Sequence, residues 1–249
     1  MGEITVPTTE GNLDAYLSVP SGSGPAPGVV VLHEAFGLND DIRAHADHLA
    51  GAGYVALAPD LYTRGGAVRC LAGTMLSMSR GHGRAFDDIE ASRAWLAGHA
   101  RCSGKVGVIG FCMGGGFAIA CAPRGGFDAA APNYGMVPRN AARALAGACP
   151  IVGSYGGRDW MLRGHAARLE DALSGLGIPH DVKEYPDATH SFLSHHQGGV
   201  AAAMDKVSGI RFSPEEAGDA WARILAFFGR HLAGAPGPGG PGAGGEPGA

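Results

Sequence analysis

Lys105-Val106-Gly107-Val108-Ile109-Gly110-Phe111-Cys112-Met113-Gly114-Gly115-Gly116-Phe117-Ala118-Ile119-Ala120-Cys121 decides how the rest of this chain is read. Its first half is a short β-branched run, as expected of a strand buried on both faces. Its second half, from Phe117, is an apolar helical stretch. Between them lies the pattern G-x-Cys-x-G, in which glycines allow a strand to turn sharply into a helix. A nucleophile on such a turn stands at the helix N-terminus. There the helix dipole favours a thiolate, and the next backbone N–H, that of Met113, can stabilise an oxyanion. A buried inert cysteine in a Gly-rich turn is the plainer explanation, and a lone G-x-C-x-G would not exclude it. Placement between strand and helix favours the nucleophile.

Outward from this stretch, apolar runs alternate with helix-period segments. Pro27–His33, Tyr54–Ala58, Ala129–Tyr134, Ile151–Tyr155 and His180–Tyr185 read as further strands. Leu13, Ala15, Leu17 and Val19 alternate with polar neighbours, as an antiparallel strand near a sheet edge does. Leu162, Ala166, Leu169, Leu173 and Leu176 recur at helical spacing, and Asp40–Leu49, Arg84–Leu96 and Met113–Ala122 are further helices. Ser213-Pro214-Glu215-Glu216 reads as a capping box opening a helix that puts Trp221, Ile224, Leu225 and Phe228 on one face. The alternation predicts one α/β domain over residues 1–233, with a mostly parallel sheet covered on both faces. Residues 234–249 are Gly, Pro and Ala with one Glu, and they predict a disordered tail.

Composition narrows the partners. The chain has 249 residues, 45% hydrophobic and 17% charged, with a net charge of −4. That balance offers no basic face for nucleic acid or anionic lipid. No apolar run reaches the roughly 18–20 residues that span a bilayer, and Met1–Pro7 lacks the features of a secretory leader. The five cysteines form no C-x-x-C pair, so a reduced, cytoplasmic setting is expected, with no disulfide framework and no metal. His195 and His196 have no carboxylate or cysteine at ligand spacing and read as a solvated loop.

Two further side chains complete a triad in the order nucleophile, acid, histidine. Asp159 follows the strand Ile151–Tyr155, and His190 follows the strand ending at Tyr185. Both fall at the carboxyl ends of strands, where ligands bind in such sheets. The chemistry needs His190 to accept the thiol proton and Asp159 to fix its tautomer. Each has a structural alternative: Asp159 as a helix cap before Met161, His190 as a surface loop residue. Glu34, at the end of the central strand, is costly to bury without a partner. It is placed beside the thiol, with the Ala35 N–H as the second oxyanion donor.

Together these stretches resemble the dienelactone hydrolase (carboxymethylenebutenolidase-like) family of the α/β-hydrolase fold. The matching pieces are His33-Glu34-Ala35-Phe36-Gly37, Ala58-Pro59-Asp60-Leu61-Tyr62, Gly110-Phe111-Cys112-Met113-Gly114-Gly115, Gly157-Arg158-Asp159 and Thr189-His190-Ser191-Phe192. The resemblance implies an α/β-hydrolase fold with about eight strands and helices on both faces. It implies attack of Cys112 on an ester or lactone carbonyl, release of the acyl-enzyme by water, and no cofactor. It further implies that Glu34 keeps the resting thiol neutral until substrate displaces it. The expected partner is a small ester or lactone, with the chain a monomer or homodimer and neither nucleic acid nor membrane involved.

Family members hold a substrate carboxylate with two arginines, and this chain departs from them there. Ser194 stands four residues after His190 in place of one arginine, and Arg64 or Arg69 stands nearest the other. Tyr62 and Tyr134 complete the candidate substrate-binding residues. A thioesterase or broad carboxylesterase with the same triad, and a catalytically silent ligand-binding α/β-hydrolase, are the competing functions.

Overall fold

The computed structural model describes residues 1–196 and 210–233, apart from the side chains of residues 67–69 and 79. The expected tail, 234–249, lies outside the described residues. Eight strands form one sheet: β1 (Gly2–Thr8), β2 (Gly11–Ser18), β3 (Ala26–Leu32), β4 (Val55–Pro59), β5 (Cys102–Phe111), β6 (Ala129–Asn133), β7 (Ile151–Gly156) and β8 (His180–Tyr185). Their order across the sheet is β1-β2-β4-β3-β5-β6-β7-β8. Only β2 runs against the others, pairing antiparallel with both β1 and β4. This is the mostly parallel sheet that the strand–helix alternation predicts.

The helices are α1 (Asp40–Gly51), α2 (Gly66–Arg80), α3 (Arg84–Ala97), α4 (Met113–Cys121), α5 (Ala141–Ala144), α6 (His165–Leu176) and α7 (Pro214–Leu232). Alternate residues of β5 show how two layers cover the sheet. A Cβ on Gly107 would meet Leu232 and Phe228 of α7, and Phe111 stacks on His45 of α1 and lies by Trp221 of α7. Gly110 points the other way, onto α4, which meets α3 through Phe86 and Phe117. Side chains i and i+2 share a face of a strand, so α1 and α7 lie on one face and α3 and α4 on the other. Ile224, Phe227, Phe228 and Leu232 of α7 are buried. Each such burial contributes about 1.5–3 kcal/mol relative to exposure.

Three local expectations change. Residues 2–8, read above only for a leader, form strand β1, where Val6 is buried while Glu3 and Thr5 stay exposed. The region between Arg64 and Arg84 contains a 15-residue helix, α2, ending at Gly81 in the left-handed conformation that stops a helix. Pro214 is the first residue of α7 as expected, but the Ser213 side chain makes no capping bond. Instead its backbone N–H donates to the Phe192 carbonyl, which ties α7 to the loop after β8.

Candidate functional site

At the β5–α4 turn, Cys112 has φ 52° and ψ −111°, a left-handed conformation that non-glycine residues seldom adopt. Such a residue stores on the order of 1–3 kcal/mol, and the surroundings must hold it there. They do so by close approach. A Cβ on Gly110 would lie 2.0 Å from the Gly114 carbonyl oxygen, and one on Gly114 would lie 2.2 Å from the Leu32 carbonyl oxygen. The Cys112 N–H donates to the Asn133 carbonyl at 3.1 Å, pinning the turn to β6. The G-x-C-x-G spacing is therefore a packing requirement as well as a chemical one.

The acid and the histidine meet from neighbouring strands. Gly157 N–H donates to the Tyr185 carbonyl and Arg158 N–H to the Ala188 carbonyl, joining the loop after β7 to the loop after β8. Asp159 divides its carboxylate between two tasks. Oδ1 accepts from the Met161 N–H at 3.0 Å and caps a short 3₁₀ turn, while Oδ2 accepts from His190 Nδ1 at 2.6 Å. One carboxylate thus caps the turn and bonds the imidazole.

His190 Nε2 is buried without an aligned hydrogen bond. Burial pulls the imidazole pKa down, but the Asp159 carboxylate and then the Cys112 side chain outweigh it, and it is pushed up to about 10. Cys112 is therefore close to the ring, in an approach rather than a formed hydrogen bond.

Glu34 is 2% exposed and fully provided with donors. Its Oε2 accepts from His196 Nε2 at 2.5 Å, and its Oε1 accepts from Ser194 Oγ at 3.0 Å and Tyr134 Oη at 3.3 Å. Burial pushes this carboxyl up, but the bond and charge of His196, then Ser194, outweigh it and hold it below its ordinary range. Burial, then the Glu34 charge, hold the Tyr134 phenol well above its usual value, so it remains a neutral donor. Among the described residues no hydrogen bond joins Glu34 to Cys112. Its bonds run to Tyr134 and to Ser194 and His196 of the loop after β8.

This corrects the reading of the two late histidines. His195 is exposed and stacks on Phe212, but His196 is 4% exposed and carries the Glu34 ion pair. The two Asp41 side-chain oxygens accept from the His195 and His196 N–H groups, at 3.3 and 2.8 Å, and fix that loop against α1. No local pattern marks His196. Only the three-dimensional return of the loop to β3 brings it to Glu34.

Tyr62 stands between the two expected oxyanion segments, its hydroxyl donating to the Ala35 carbonyl at 3.2 Å and contacting Met113 Sδ at 3.6 Å. His33 is a further organiser. It accepts from the Leu61 N–H through Nε2 and donates from Nδ1 to the Glu34 carbonyl, joining the loops after β3 and β4. The Met113 N–H, in the first turn of α4, has no acceptor within the helix and is free to serve a ligand.

Arg64 does not join this group. Its guanidinium grips the buried Asp88 carboxylate at 2.8 and 3.0 Å and Thr8 Oγ1 at 2.7 Å, so its donors serve the packing of β1 and α3. The Arg69 side chain lies outside the described residues. Ser194 is a buried neighbour of Glu34 and Tyr134. No group of three or more His, Cys, Asp and Glu among the described residues is placed to hold a metal ion. Among them no helix is long and apolar enough to cross a membrane.

Known proteins share this arrangement of strands and loops. A family model described as the dienelactone hydrolase family matches residues 13–232. A protein of Methylorubrum extorquens provisionally named carboxymethylenebutenolidase is 29% identical over 244 residues, covering 91% of this chain and 80% of that one. A crystal structure from Klebsiella pneumoniae, provisionally named dienelactone hydrolase, is 26% identical with a TM-score of 0.77, covering 92% of this chain and 98% of the other. A dienelactone hydrolase-like promiscuous phosphotriesterase from metagenomic libraries, 24% identical, shares the fold with a TM-score of 0.78 over 93% of this chain and 99% of the other.

Proposed function

Given a chain that belongs to the dienelactone hydrolase family, we propose that this hydrolase cleaves a small ester or lactone by thiol catalysis through an acyl-enzyme. Cys112 is the nucleophile, His190 the general base and then acid, and Asp159 the group that fixes the imidazole. The observation that carries this reading is the 2.6 Å Asp159–His190 bond, with Nε2 left unpartnered beside a cysteine at φ 52°.

With Nδ1–H committed to Asp159, Nε2 is the atom that receives the thiol proton, and the resulting imidazolium is stabilised by Asp159 and by the charge left on Cys112, the interactions that push the His190 pKa up to about 10. The thiolate adds to the carbonyl carbon, and the resulting oxyanion meets the N–H groups of Met113 and Ala35. The imidazolium returns its proton to the leaving alkoxide as the carbon–oxygen bond breaks. In the second half, Nε2 takes a proton from water, hydroxide adds to the thioester, and the thiol leaves with that proton. A thioesterase or broad carboxylesterase would use the same steps. Tyr134, one of the three donors to Glu34, has its ring 5.2 Å from that of His190, so this group shapes the site beside the general base. A cytoplasmic location fits the five free cysteines among the described residues.

The test is alkylation by iodoacetamide followed by peptide mapping, with turnover of an aryl acetate measured in parallel. Modification confined to Cys112 and proportional to loss of activity supports the thiol mechanism. Cys112→Ala should abolish turnover, and Cys70→Ala and Cys121→Ala should leave it near wild type. Near-wild-type turnover in Cys112→Ala would refute the assignment, and absence of turnover in every protein tested would favour a ligand-binding role.

A further inference from the structure

Large hydrophobic side chains exposed to solvent are few in this protein, and they are not scattered. Seven among the described residues are more than a third exposed, and Met75, Met136, Trp160 and Met161 are four of them. Met136 follows β6, and Trp160 and Met161 follow β7, at the carboxyl edge of the sheet where Cys112 follows β5; Met75 is on α2. Met136 is two residues beyond Tyr134, whose ring lies 5.2 Å from that of His190. Trp160, 68% exposed, and Met161 directly follow Asp159.

The segments are joined to one another. The Val137 N–H donates to His165 Nδ1 at 2.9 Å, and Arg168 donates to the Val137 carbonyl at 3.2 Å. These bonds dock the Met136 loop onto the start of α6, just beyond Trp160 and Met161. From the other side, α2 lies over the first turn of α4. A Cβ on Gly116 would come within 2.7 Å of Met78 Sδ and 3.8 Å of the Met136 N. The Gly116 N–H in turn donates to the Cys112 carbonyl at 3.1 Å. Met75 is one helical turn before Met78 and shares its face.

Methionine and tryptophan present polarizable, adaptable apolar surface to a ligand of variable shape. Of the cations nearby, two are held by carboxylates, while Arg139 and Arg163 stand exposed beyond Met136 and Met161. Arg64 holds Asp88, Arg158 pairs with Asp187, and position 194 is a serine.

We propose that Met75, Met136, Trp160 and Met161 form an apolar crest that selects esters or lactones carrying an aliphatic chain or ring. This rests on the thiol-hydrolase reading above and names the substrate class of that site. On side chains this exposed, each added methylene is taken as about half withdrawn from water. Half of the usual value per buried methylene corresponds to about twofold in kcat/KM, or roughly fifteenfold from acetate to hexanoate.

The experiment is kcat/KM for 4-nitrophenyl acetate, butyrate and hexanoate on wild type, Cys112→Ala, Met136→Ser/Trp160→Ser and Leu176→Ser. Leu176 is exposed at the end of α6, away from the crest, and controls for loss of a surface hydrophobe. We expect the hexanoate-to-acetate ratio to be roughly fifteen in wild type and in Leu176→Ser, and to fall at least fivefold in the crest double variant. A flat or falling wild-type series, or a rising one that persists in the double variant, overturns the crest while leaving the Cys112 mechanism standing. Acetate turnover that does not depend on Cys112 overturns the mechanism, and this inference with it.

Discussion

Replacing His196 by alanine tests whether the Glu34 ion pair is as consequential as its burial implies. The two side chains are 1% and 2% exposed, and their atoms are 2.5 Å apart. Removing one partner of a buried pair costs about 3–5 kcal/mol, because the remaining charge is left uncompensated in a medium that solvates it poorly. Glu34 keeps two hydroxyl donors, Ser194 and Tyr134, each worth about 1 kcal/mol net. The expected loss is therefore near the lower end, about 3 kcal/mol. For a domain of this size, 1 kcal/mol shifts Tm by about 2–4 °C, so His196→Ala should melt roughly 6–12 °C below wild type at pH 7.

Neutralising the stranded charge should recover much of that. We expect Glu34→Gln/His196→Ala to regain at least half of the lost Tm. The pH dependence has a definite sign. The folded Glu34 pKa is lowered, so its contribution is present above the unfolded carboxylate value of about 4.3 and is lost as pH falls through the folded value. The gap between wild type and His196→Ala should thus be full at pH 7 and close in more acidic solution. Differential scanning calorimetry from pH 7 to pH 3.5 reads both effects. A His196→Ala Tm within 2 °C of wild type, or no recovery in the double variant, would refute the reasoning.

Arg64→Ala strips the buried Asp88 of its guanidinium and should lower Tm by several degrees, the loss moderated because burial already raises the Asp88 pKa. The same variant should leave the kcat/KM ratio for matched carboxylated and neutral esters unchanged, since Arg64 serves packing. Asp159→Asn keeps an oxygen for the Met161 cap but offers His190 an amide, so kcat should drop about a thousandfold or more and Tm should fall by several degrees at pH 7. His190 has a raised folded pKa of about 10, so the stability it contributes is complete below the unfolded value of about 6.5 and is lost as pH rises through 10. Wild-type Tm should accordingly fall from pH 7 to pH 10, and less steeply in Asp159→Asn.

The sheet was legible where sequence and burial share a period. Val29 to Leu32 and Val106 to Phe111 are buried without interruption, as their β-branched runs imply. Strand β1 was not, because Ile4 and Val6 alone carry its alternation and the strand sits at the sheet edge. Helix α2 hid behind Gly65, Gly66, Gly73 and its polar Thr74 and Ser77, which weaken any helical stripe.

In the candidate site, the positions of Cys112, Asp159 and His190 at strand ends were legible because each follows a recognisable strand. The partners of Glu34 could not. His196 is 162 residues away in sequence, and Arg64 gives no local sign that Asp88 engages it. Charge pairing over such separations is a property of the folded topology, which periodicity does not encode.

The active-edge residues come from four places in the sheet: Glu34 after β3, Cys112 after β5, Asp159 after β7 and His190 after β8. In sheet order these strands span from the middle to one rim, with β6 between the nucleophile and the acid. A slip of one residue in any parallel pairing would send that strand's side chains to the opposite face and carry its loop about 3.3 Å along the sheet. Under the proposed mechanism, hydrolysis therefore works as a gauge of alignment across five neighbouring strands, β3 and β5 to β8. A refolding chain regains turnover only after its last strand, β8, has docked in register, even if helix content and compactness return earlier.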